Sequence, residues 1–310
     1  MATIAKERTA VTAPPRRSWE GIKWSALIWI APAVVLLLVF FIYPLINTII
    51  LSFQHTDSLG NVTGWVGLRN YGFVFTNPGT LGILKNNLIW LVLATTFTVG
   101  LGLIVAVLVD RVKIEALIKS MLFIPMAISG VAAAVIWRFV YIYEPKGETQ
   151  IGLLNAFLGL FHINPQAWIQ NEAFSTYALI VIYVWIWTGF CMVILSAALK
   201  GVPDEIIEAA KMDGAGRLTM FWRITIPMIA PTLGVVITTM VINVLKIFDI
   251  VYATTGGNYG TNVVANEFYT QDFLNLNLGI GSALAILLTI VILPVMVINI
   301  RRMRAQERMR

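Results

Sequence analysis

The chain has 310 residues, of which 58% are hydrophobic and 12% charged, and its formal net charge is +6. A soluble domain carries about 25% charged residues, so this composition excludes an ordinary soluble enzyme or binding module and indicates an integral membrane protein. The basic excess does not indicate nucleic-acid binding, which requires a basic face on a folded soluble module.

Six apolar runs are long enough to cross a bilayer, which takes about 20 residues in a helix. The segments between them are too short to bury a core of their own. We therefore predict an all-α membrane protein with six transmembrane helices in one domain, residues 24–300, flanked by tails at 1–23 and 301–310. The predicted spans are 24–50, 88–109, 120–143, 173–199, 224–251 and 278–300.

The distribution of Lys and Arg predicts the orientation of these spans. Most of the 22 basic residues lie in the N-terminal tail, in the second and fourth connecting segments and in the C-terminal tail. Because positive residues are retained on the cytoplasmic side, both termini and the loop at 200–223 are predicted to be cytoplasmic. The same bias favours contact with the anionic lipid of the inner leaflet.

The first apolar run follows a basic tail, as the core of a signal peptide would. The run is about 27 residues long whereas a signal core has about 7–15, so we expect a retained helix. The only cysteine, Cys191, lies in the fourth predicted span, which excludes an internal disulfide and offers no metal site. We expect it to be a small buried apolar residue.

Two connecting segments are amphipathic. Residues 152–161 carry an apolar stripe flanked by polar residues, which predicts a short helix on the outer surface. In the segment 112–119, apolar residues alternate with charged ones, and we expect this segment to lie in the membrane interface and to lead into the third span at Pro125.

The loop at 200–223 has the features of an ordered helical pair. Pro203 suits the first turn of a helix. Asp204 and Glu205 follow it, and acidic residues in a first turn interact favourably with the helix dipole. The pair Asp213 and Gly214 predicts a turn, because glycine accepts a positive φ.

A second short helix is expected to follow this turn, at an angle to the first, running through Leu218, Phe221 and Trp222. The fifth span is then expected to begin at Pro227 and Pro231, since proline is tolerated in a first turn. By itself this pattern is compatible with a loop that is merely ordered.

The spacing in this loop resembles the EAA motif of importer permeases of the ATP-binding-cassette (ABC) class, E-A-A-x-x-D-G-A followed by Ile-x-hydrophobic-Pro. The chain departs from the pattern mildly, at Gly216 and Ile226. The resemblance extends from about Trp24 to Arg302 and is greatest to the carbohydrate branch, of the maltose-permease type. The matching residues are Glu208, Ala209, Ala210, Asp213, Gly214, Ala215, Phe221, Ile224 and Pro227.

The resemblance implies the architecture of a type I ABC importer permease in a bacterial cell membrane. Such a subunit forms half of a translocation pathway with a second permease subunit, above two cytoplasmic ATPase subunits, and receives sugar from an extracytoplasmic sugar-binding protein. The segments 245–250, 256–266 and 298–304 look most like permeases for α-glucosides, which implies a di- or oligosaccharide.

The resemblance also implies that the loop at 200–223 is a coupling helix seated in a cleft of the ATPase, with Glu208 and Asp213 on its surface. The chain has no G-x-x-x-x-G-K-[ST] stretch to hold ATP, so we expect ATP and Mg²⁺ on the partner and neither a cofactor nor a catalytic residue here. The residues implied in ATPase coupling are Glu208, Ala209, Ala210, Asp213, Gly214 and Ala215.

Candidates for the sugar path are aromatic, amide and charged side chains in or near the spans, because sugar sites stack rings on aromatics and hydrogen-bond hydroxyls. Lys246 and Asp249 are three apart on the predicted fifth helix and could instead form a snorkelling pair at its outer end. The aromatics could pack or form an interface belt, and the partner permease could hold the sugar. The candidates are Tyr183, Trp187, Asn243, Lys246, Asp249 and Tyr252.

A six-helix ion channel and an ion-coupled carrier are the alternatives. Residues 255–260 are similar to a channel pore loop, but the fourth span has no arginine to sense voltage. A carrier needs carboxylates near the bilayer midplane, whereas the predicted spans hold only Asp249, near an end. A membrane enzyme is disfavoured because H-E-x-x-H and G-x-S-x-G are absent, and both His55 and His162 fall in loops.

Overall fold

The computed structural model describes residues 24–110, 112–145 and 147–307, and this part of the chain is mostly helical. The predictions for the tail at 1–23 and for the last three residues lie outside it. By contacts the chain divides into two units, one ending at Asn47 and the other beginning at Thr48.

The first span is close to its predicted position. α1 (Trp24–Leu37) passes through a five-residue π-helical turn (Leu38–Ile42) into α2 (Tyr43–Leu51). The stretch Ile28–Leu51 has 24 apolar-rich residues, enough to cross a membrane.

A small β-hairpin follows, which the sequence did not predict. β1 (Gln54–Thr56) pairs antiparallel with β2 (Val62–Trp65). The Asp57 carboxylate accepts the backbone N–H of Asn61 at 2.8 Å, and this bond holds the pKa of Asp57 below its usual value. The side chain therefore closes the turn, as aspartate does in loops.

The helices after the hairpin provide the remaining membrane spans. Four stretches of this part, with Ile28–Leu51, are long and apolar enough to cross a membrane, and the pair α5–α6 makes a sixth if its two bent halves count as one span. The helices are α3 (Arg69–Thr76), α4 (Pro78–Val109), α5 (Glu115–Phe123), α6 (Gly130–Val140), α7 (Leu153–Leu160), α8 (Ser175–Lys200), α9 (Asp204–Met212), α10 (Arg217–Met220), α11 (Ile226–Leu245), α12 (Asp249–Thr255), α13 (Val264–Tyr269) and α14 (Leu278–Glu307).

The prediction of a continuous third span at 120–143 is wrong. α5 runs into a 3-10 turn (Ile124–Ala127), and the two halves of the pair are bent by 102°. Pro125 stands in the first turn of the 3-10 segment, and Ser129 caps α6 by accepting the N–H of Ala132 at 3.2 Å. A proline followed by a capping serine favours stopping one helix and starting another.

The fifth span, predicted at 224–251, is confirmed up to Leu245 as part of the stretch Arg217–Leu245, but its predicted end is wrong. α11 ends before Lys246, and α12 begins only after Phe248, whose φ is −140° and ψ −59°. No glycine or proline marks this break in the sequence. Ile247, between the two helices, is 7% exposed and packs into the core, so a buried residue occupies the break.

The core of the second unit lies between α4, α8 and the α11–α12 pair. A Cβ on Gly102 of α4 would stand 2.6 Å from the Cβ of Cys191 on α8, so the two helices approach too closely for a larger residue. Cys191 is fully buried, as predicted. The largest buried side chains of this core are Trp90, Tyr183, Leu179, Ile182, Met192, Leu195 and Met240.

The predicted amphipathic helix at 152–161 is present as α7. The amide of Asn155, which is 1% exposed, donates to the carbonyls of Ile142 and Gln166 at 3.0 Å, and its oxygen accepts the indole N–H of Trp168 at 3.0 Å. One polar side chain thus fixes α7 to the end of α6 and to the approach to α8.

Candidate functional site

The loop at 200–223 contains the predicted first helix, α9. It begins after Pro203, whose extended backbone stands at the N-cap, and has Asp204 and Glu205 in its first turn. Ala210 is buried, whereas Glu208 is exposed. α9 therefore packs one face against the protein and leaves the opposite face free for a partner.

A Schellman turn at Gly214 closes α9, whose last helical residue is Met212. The N–H of Ala215 donates to the carbonyl of Ala210, and that of Gly214 to the carbonyl of Lys211, both at 3.0 Å. Gly214 has φ +79°, and a Cβ there would meet no atom within 4 Å. Glycine is therefore required for its left-handed backbone and not for space.

The residues implied in coupling share this element. Glu208, Ala209, Asp213 and Gly214 are exposed, and Ala215 is half-buried beyond the turn. The Asp213 N–H closes the last helical bond to the carbonyl of Ala209 at 3.0 Å. The structure thus gathers the whole motif on one helix and its turn, with Ala210 as the residue that faces inward.

The prediction of a separate second helix in the loop is wrong. α10 runs through a π-helical segment (Phe221–Thr225) into α11, so Arg217–Leu245 forms one membrane-length stretch. Pro227 stands in the first turn of α11, as predicted, but Pro231 lies inside the helix. A proline ring clashes with the preceding turn and removes a backbone donor, which a π segment accommodates.

An ion cluster next to this loop escaped the sequence analysis. Glu115 Oε1 lies 2.5 Å from Lys119 Nζ and 2.6 Å from Lys200 Nζ, and Lys119 also donates to Ser196 Oγ. The pair at i and i+4 on α5 was visible as a helical pattern. Its connection to the end of α8 was not, because it depends on how α5 folds back.

The bend between α5 and α6 and the break between α11 and α12 meet at a cavity of about 320 Å³, here called the junction cavity. Irregular backbone at membrane depth is tolerated where it lines a cavity, and such breaks are typical of substrate sites in transporters. Five of the six sequence candidates line the junction cavity: Tyr183, Trp187, Asn243, Lys246 and Asp249.

Lys246 and Asp249 do not share a helix, contrary to the sequence prediction. Lys246 follows the last residue of α11, and Asp249 is the first residue of α12. In the part of the chain that the structure describes, no ion pair joins them. Both side chains are exposed, so both charges are available to a ligand in the junction cavity.

The charges of Lys246 and Asp249 each lie at a helix terminus whose dipole stabilises that sign of charge. A Cβ on Gly130, the first residue of α6, would stand 3.1 Å from the Asp249 Cβ and 3.3 Å from its Oδ2. The carboxylate therefore lies at the N-terminal ends of both α6 and α12, where backbone N–H groups favour negative charge. Lys246 stands at the C-terminal end of α11, where positive charge is favoured.

The aromatic candidates divide into three roles. Tyr183 is 2% exposed and packs between Trp90 and Trp187, with ring centroids 6.0 Å from each, so it forms the floor of the cavity. Trp187 is half-buried and offers the larger accessible ring. Tyr252 does not line the junction cavity; its ring stacks on Phe248 at 5.1 Å.

Sequence reasoning missed Gly130 and Phe248 as parts of the cavity. Gly130 could have been found from the capping serine beside it and the proline before that. Phe248 had no local signal, because its place in the cavity depends on the break after α11.

Within the residues that the structure describes, five helices of membrane-crossing length with a further bent pair, a charged cavity beside that bend and an exposed loop helix are features of an integral membrane permease. Residues 98–306, more than half of the chain, match the family model described as the binding-protein-dependent transport system inner membrane component. The chain belongs to this family of ABC importer permeases, which work in the inner membrane with an ATPase and a periplasmic binding protein. It is a non-catalytic subunit of a family without cofactors.

Two curated relatives and a solved structure illustrate the similarity. The osmoprotective compounds uptake permease protein GgtC of Synechocystis is 52% identical over 91% of this chain and 100% of its own length. The α-glucoside transport system permease protein AglF of Rhizobium meliloti is 41% identical over 88% of this chain and 81% of its own length.

The crystal structure of a bacterial alginate ABC transporter, in complex with an alginate pentasaccharide-bound periplasmic protein, contains a chain of the same fold. The TM-score is 0.75 at 20% identity, over 89% of this chain and 92% of that one. The type I importer architecture is thus confirmed at the level of the fold.

Proposed function

We propose that this permease forms half of an import pathway for a neutral, hydroxyl-rich compound, an α-glucoside of di- or oligosaccharide size. In this proposal a second permease subunit completes the pathway and two ATPase subunits bind on the cytoplasmic side, where both termini lie. An extracytoplasmic sugar-binding protein delivers the substrate. The observation that carries the proposal is the junction cavity, where the bend of the third span meets the break between α11 and α12.

The charges of the junction cavity favour a neutral ligand. Lys246 donates hydrogen bonds and the Asp249 carboxylate accepts them, so a hydroxylated molecule can satisfy both. An anionic substrate would meet Asp249 and a cationic one would meet Lys246, and each like-charge contact is unfavourable. Asn243 adds an amide that both donates and accepts, and Trp187 adds an apolar face.

A compact osmoprotectant is the second candidate substrate. The relative at 52% identity is described by its name as an osmoprotective compounds uptake permease, and the relative at 41% as an α-glucoside permease. Both descriptions are compatible with a cavity of about 320 Å³ that offers one cation, one carboxylate and one amide.

Uptake into cells that lack other importers tests this function. Labelled maltose, trehalose and sucrose should enter when the permeases, ATPase and binding protein are expressed together. Exclusion of all three, with uptake of a zwitterionic or small polyol osmoprotectant, would select the second candidate. Import driven by an ion gradient in the absence of the ATPase would contradict both.

Substitution of Lys246 tests the role of the junction cavity. Lys246→Ala should reduce uptake about tenfold or more, since a hydrogen bond to a charged group contributes about 1.5–3 kcal/mol. Lys246→Arg keeps the charge and should retain part of the activity. Lys113→Ala, at an exposed position of the segment 112–119, is a control for the loss of positive charge alone.

A further inference from the structure

A second cavity, which shares no lining residue with the junction cavity, lies between α3, the first turns of α4 and the segment 260–271. It encloses about 560 Å³, and we call it the α3–α4 groove. None of the sequence candidates lies in it. Its polar and aromatic lining includes Phe73, Lys85, Asn86, Asn262, Glu267 and Gln271.

The carboxylate of the groove is held in place by amides. Glu267 Oε2 accepts the Asn262 amide at 2.7 Å, and Oε1 accepts the Gln271 amide at 2.6 Å. Each oxygen keeps a free lone pair for a further donor. The acceptor therefore has a fixed direction before any ligand arrives, which lowers the entropic cost of binding.

The wall opposite is fixed by Asn86 of α4. Its amide nitrogen donates to the carbonyl of Gly260 at 2.5 Å and to that of Asn262 at 3.0 Å. Beneath the groove, buried Val74 and Val264 belong to one apolar cluster that joins α3, α4, α13 and α14. The groove is therefore built on packed helices.

The groove offers the groups that a sugar ring needs. Phe73 is 39% exposed and presents an aromatic surface, and Lys85 is exposed and makes no ion pair in the part of the chain the structure describes. A Cβ on Gly82 would meet no atom within 4 Å, so the floor is open. Aromatic surface with a carboxylate, an amide and an ammonium group matches a ring with one apolar face and several hydroxyls.

We propose that the α3–α4 groove is a second saccharide site, which binds a neutral sugar ring before it reaches the junction cavity. Phe73 stacks on the ring, Glu267 accepts hydroxyl hydrogens and Lys85 donates to hydroxyl oxygens. The choice of a sugar rests on the proposed function, and the predicted orientation puts the groove at the outer end of α4.

Cysteine protection in the assembled complex tests this site. Because Cys191 is the only cysteine and is buried, Gly82→Cys, at an exposed groove position where a Cβ would meet no atom within 4 Å, introduces an accessible thiol that maleimide can label without removing a proposed sugar contact. Maltose, trehalose or sucrose at 10–50 mM (about the range for a weak subsite) should slow labelling at least about twofold. Leu81→Cys, exposed on the same helix but outside the groove, should be unaffected.

Two further variants make the result specific. Phe73→Leu should raise the sugar concentration for half-maximal protection about threefold to tenfold, whereas Phe75→Leu, exposed on the same helix outside the groove, should not. Protection should persist in Lys246→Ala, which alters only the junction cavity.

The outcomes separate this site from the proposed function. Absence of protection by all three sugars overturns the groove site, whether or not the complex imports them. Equal protection of Leu81→Cys would indicate a conformational effect and would overturn the groove site. Loss of protection in the Lys246→Ala background would overturn it for the same reason. Absence of import with protection retained would contradict the proposed function alone.

Discussion

Gly214 and Gly130 are glycines for opposite physical reasons. Gly214 stands in open space with φ +79°, so only its backbone conformation demands glycine. Gly130 has ordinary helical backbone, but a Cβ there would press on Asp249 at 3.1 Å. A side chain at Gly214 would strain the backbone, whereas a side chain at Gly130 would displace the Asp249 carboxylate.

Gly214→Val should uncouple transport. A β-branched residue at positive φ costs about 1–3 kcal/mol and would distort the Schellman turn that ends α9. We expect sugar uptake to fall about tenfold while the amount of chain in the membrane is unchanged, measured by uptake and by immunoblotting of membranes.

Gly216→Val is the matched control for Gly214. Gly216 lies two residues further along with φ −66°, and a Cβ there would meet no atom within 4 Å. The Gly216→Val variant should therefore retain near-normal sugar uptake. Normal uptake by Gly214→Val would exclude a coupling role for this turn.

Gly130→Val should impair transport by moving the Asp249 carboxylate from the two helix N-termini. We expect a several-fold rise in the sugar concentration for half-maximal uptake, because the cavity loses a fixed acceptor. Gly100→Val, on α4 with no neighbour within 4 Å of its Cβ position, is the control. If both variants behave alike, Asp249 does not position the substrate.

At the scale of elements, α5 packs along α8, the helix that leads directly into the 200–223 loop. Glu115 links α5 to Lys200, the last residue of α8, a few residues before α9 begins. The backbone of Leu122 lies close against Gly189 of α8, since a Cβ on Gly189 would stand 2.0 Å from the Leu122 carbonyl oxygen. Movement of α9 would therefore be transmitted to α5 through α8.

Glu115→Lys should reduce ATP-driven uptake several-fold, since three positive groups would then meet at the end of α8. The double variant Glu115→Lys with Lys200→Glu restores opposite charges and should recover much of the loss. Uptake in proteoliposomes with the purified ATPase measures both. No recovery in the double variant would show that the contact acts through packing and not through charge.

Gly189→Ala should destabilise the protein, since the added methyl group overlaps backbone that has little room to move. Overpacking costs about 1–3 kcal/mol, which we expect as a lower apparent melting temperature in detergent. Gly159→Ala on α7, where a Cβ meets no atom within 4 Å, should melt like the wild type. Equal melting of both would contradict the close approach of α5 and α8.

At the scale of the whole molecule, the chain combines the junction cavity with the exposed helix α9 and is a non-catalytic subunit. Its sequence lacks a phosphate-binding loop, and its family works with a separate ATPase. The bend at 128–129 and the helix break at 246–248 both line the junction cavity.

Purification of the chain through a C-terminal tag, in mild detergent from native membranes, should recover a second permease and an ATPase. ATP hydrolysis by this complex should rise several-fold when sugar-loaded binding protein is added, if the proposed assembly of two permeases couples the binding protein to the ATPase. A complex that contains several copies of this chain and no ATPase would contradict the proposed assembly.

The sequence by itself determined the membrane class, approximate positions for the spans, the helix of the 200–223 loop and its glycine turn. These depend on local properties: the length of apolar runs, and the preference of glycine for positive φ. It also proposed the sugar-path candidates, of which the structure collects five in the junction cavity.

Only the tertiary structure decided where the third span bends, where α11 ends and which helix ends lie beside Lys246 and Asp249. The break before Asp249 has no glycine or proline, and Ile247 within it is buried by other helices, an environment that the local sequence does not specify. Lys246 and Asp249 looked like a pair because they are three residues apart. They are separate because each is stabilised by a helix end, and the end beside Gly130 is brought there by a distant part of the chain.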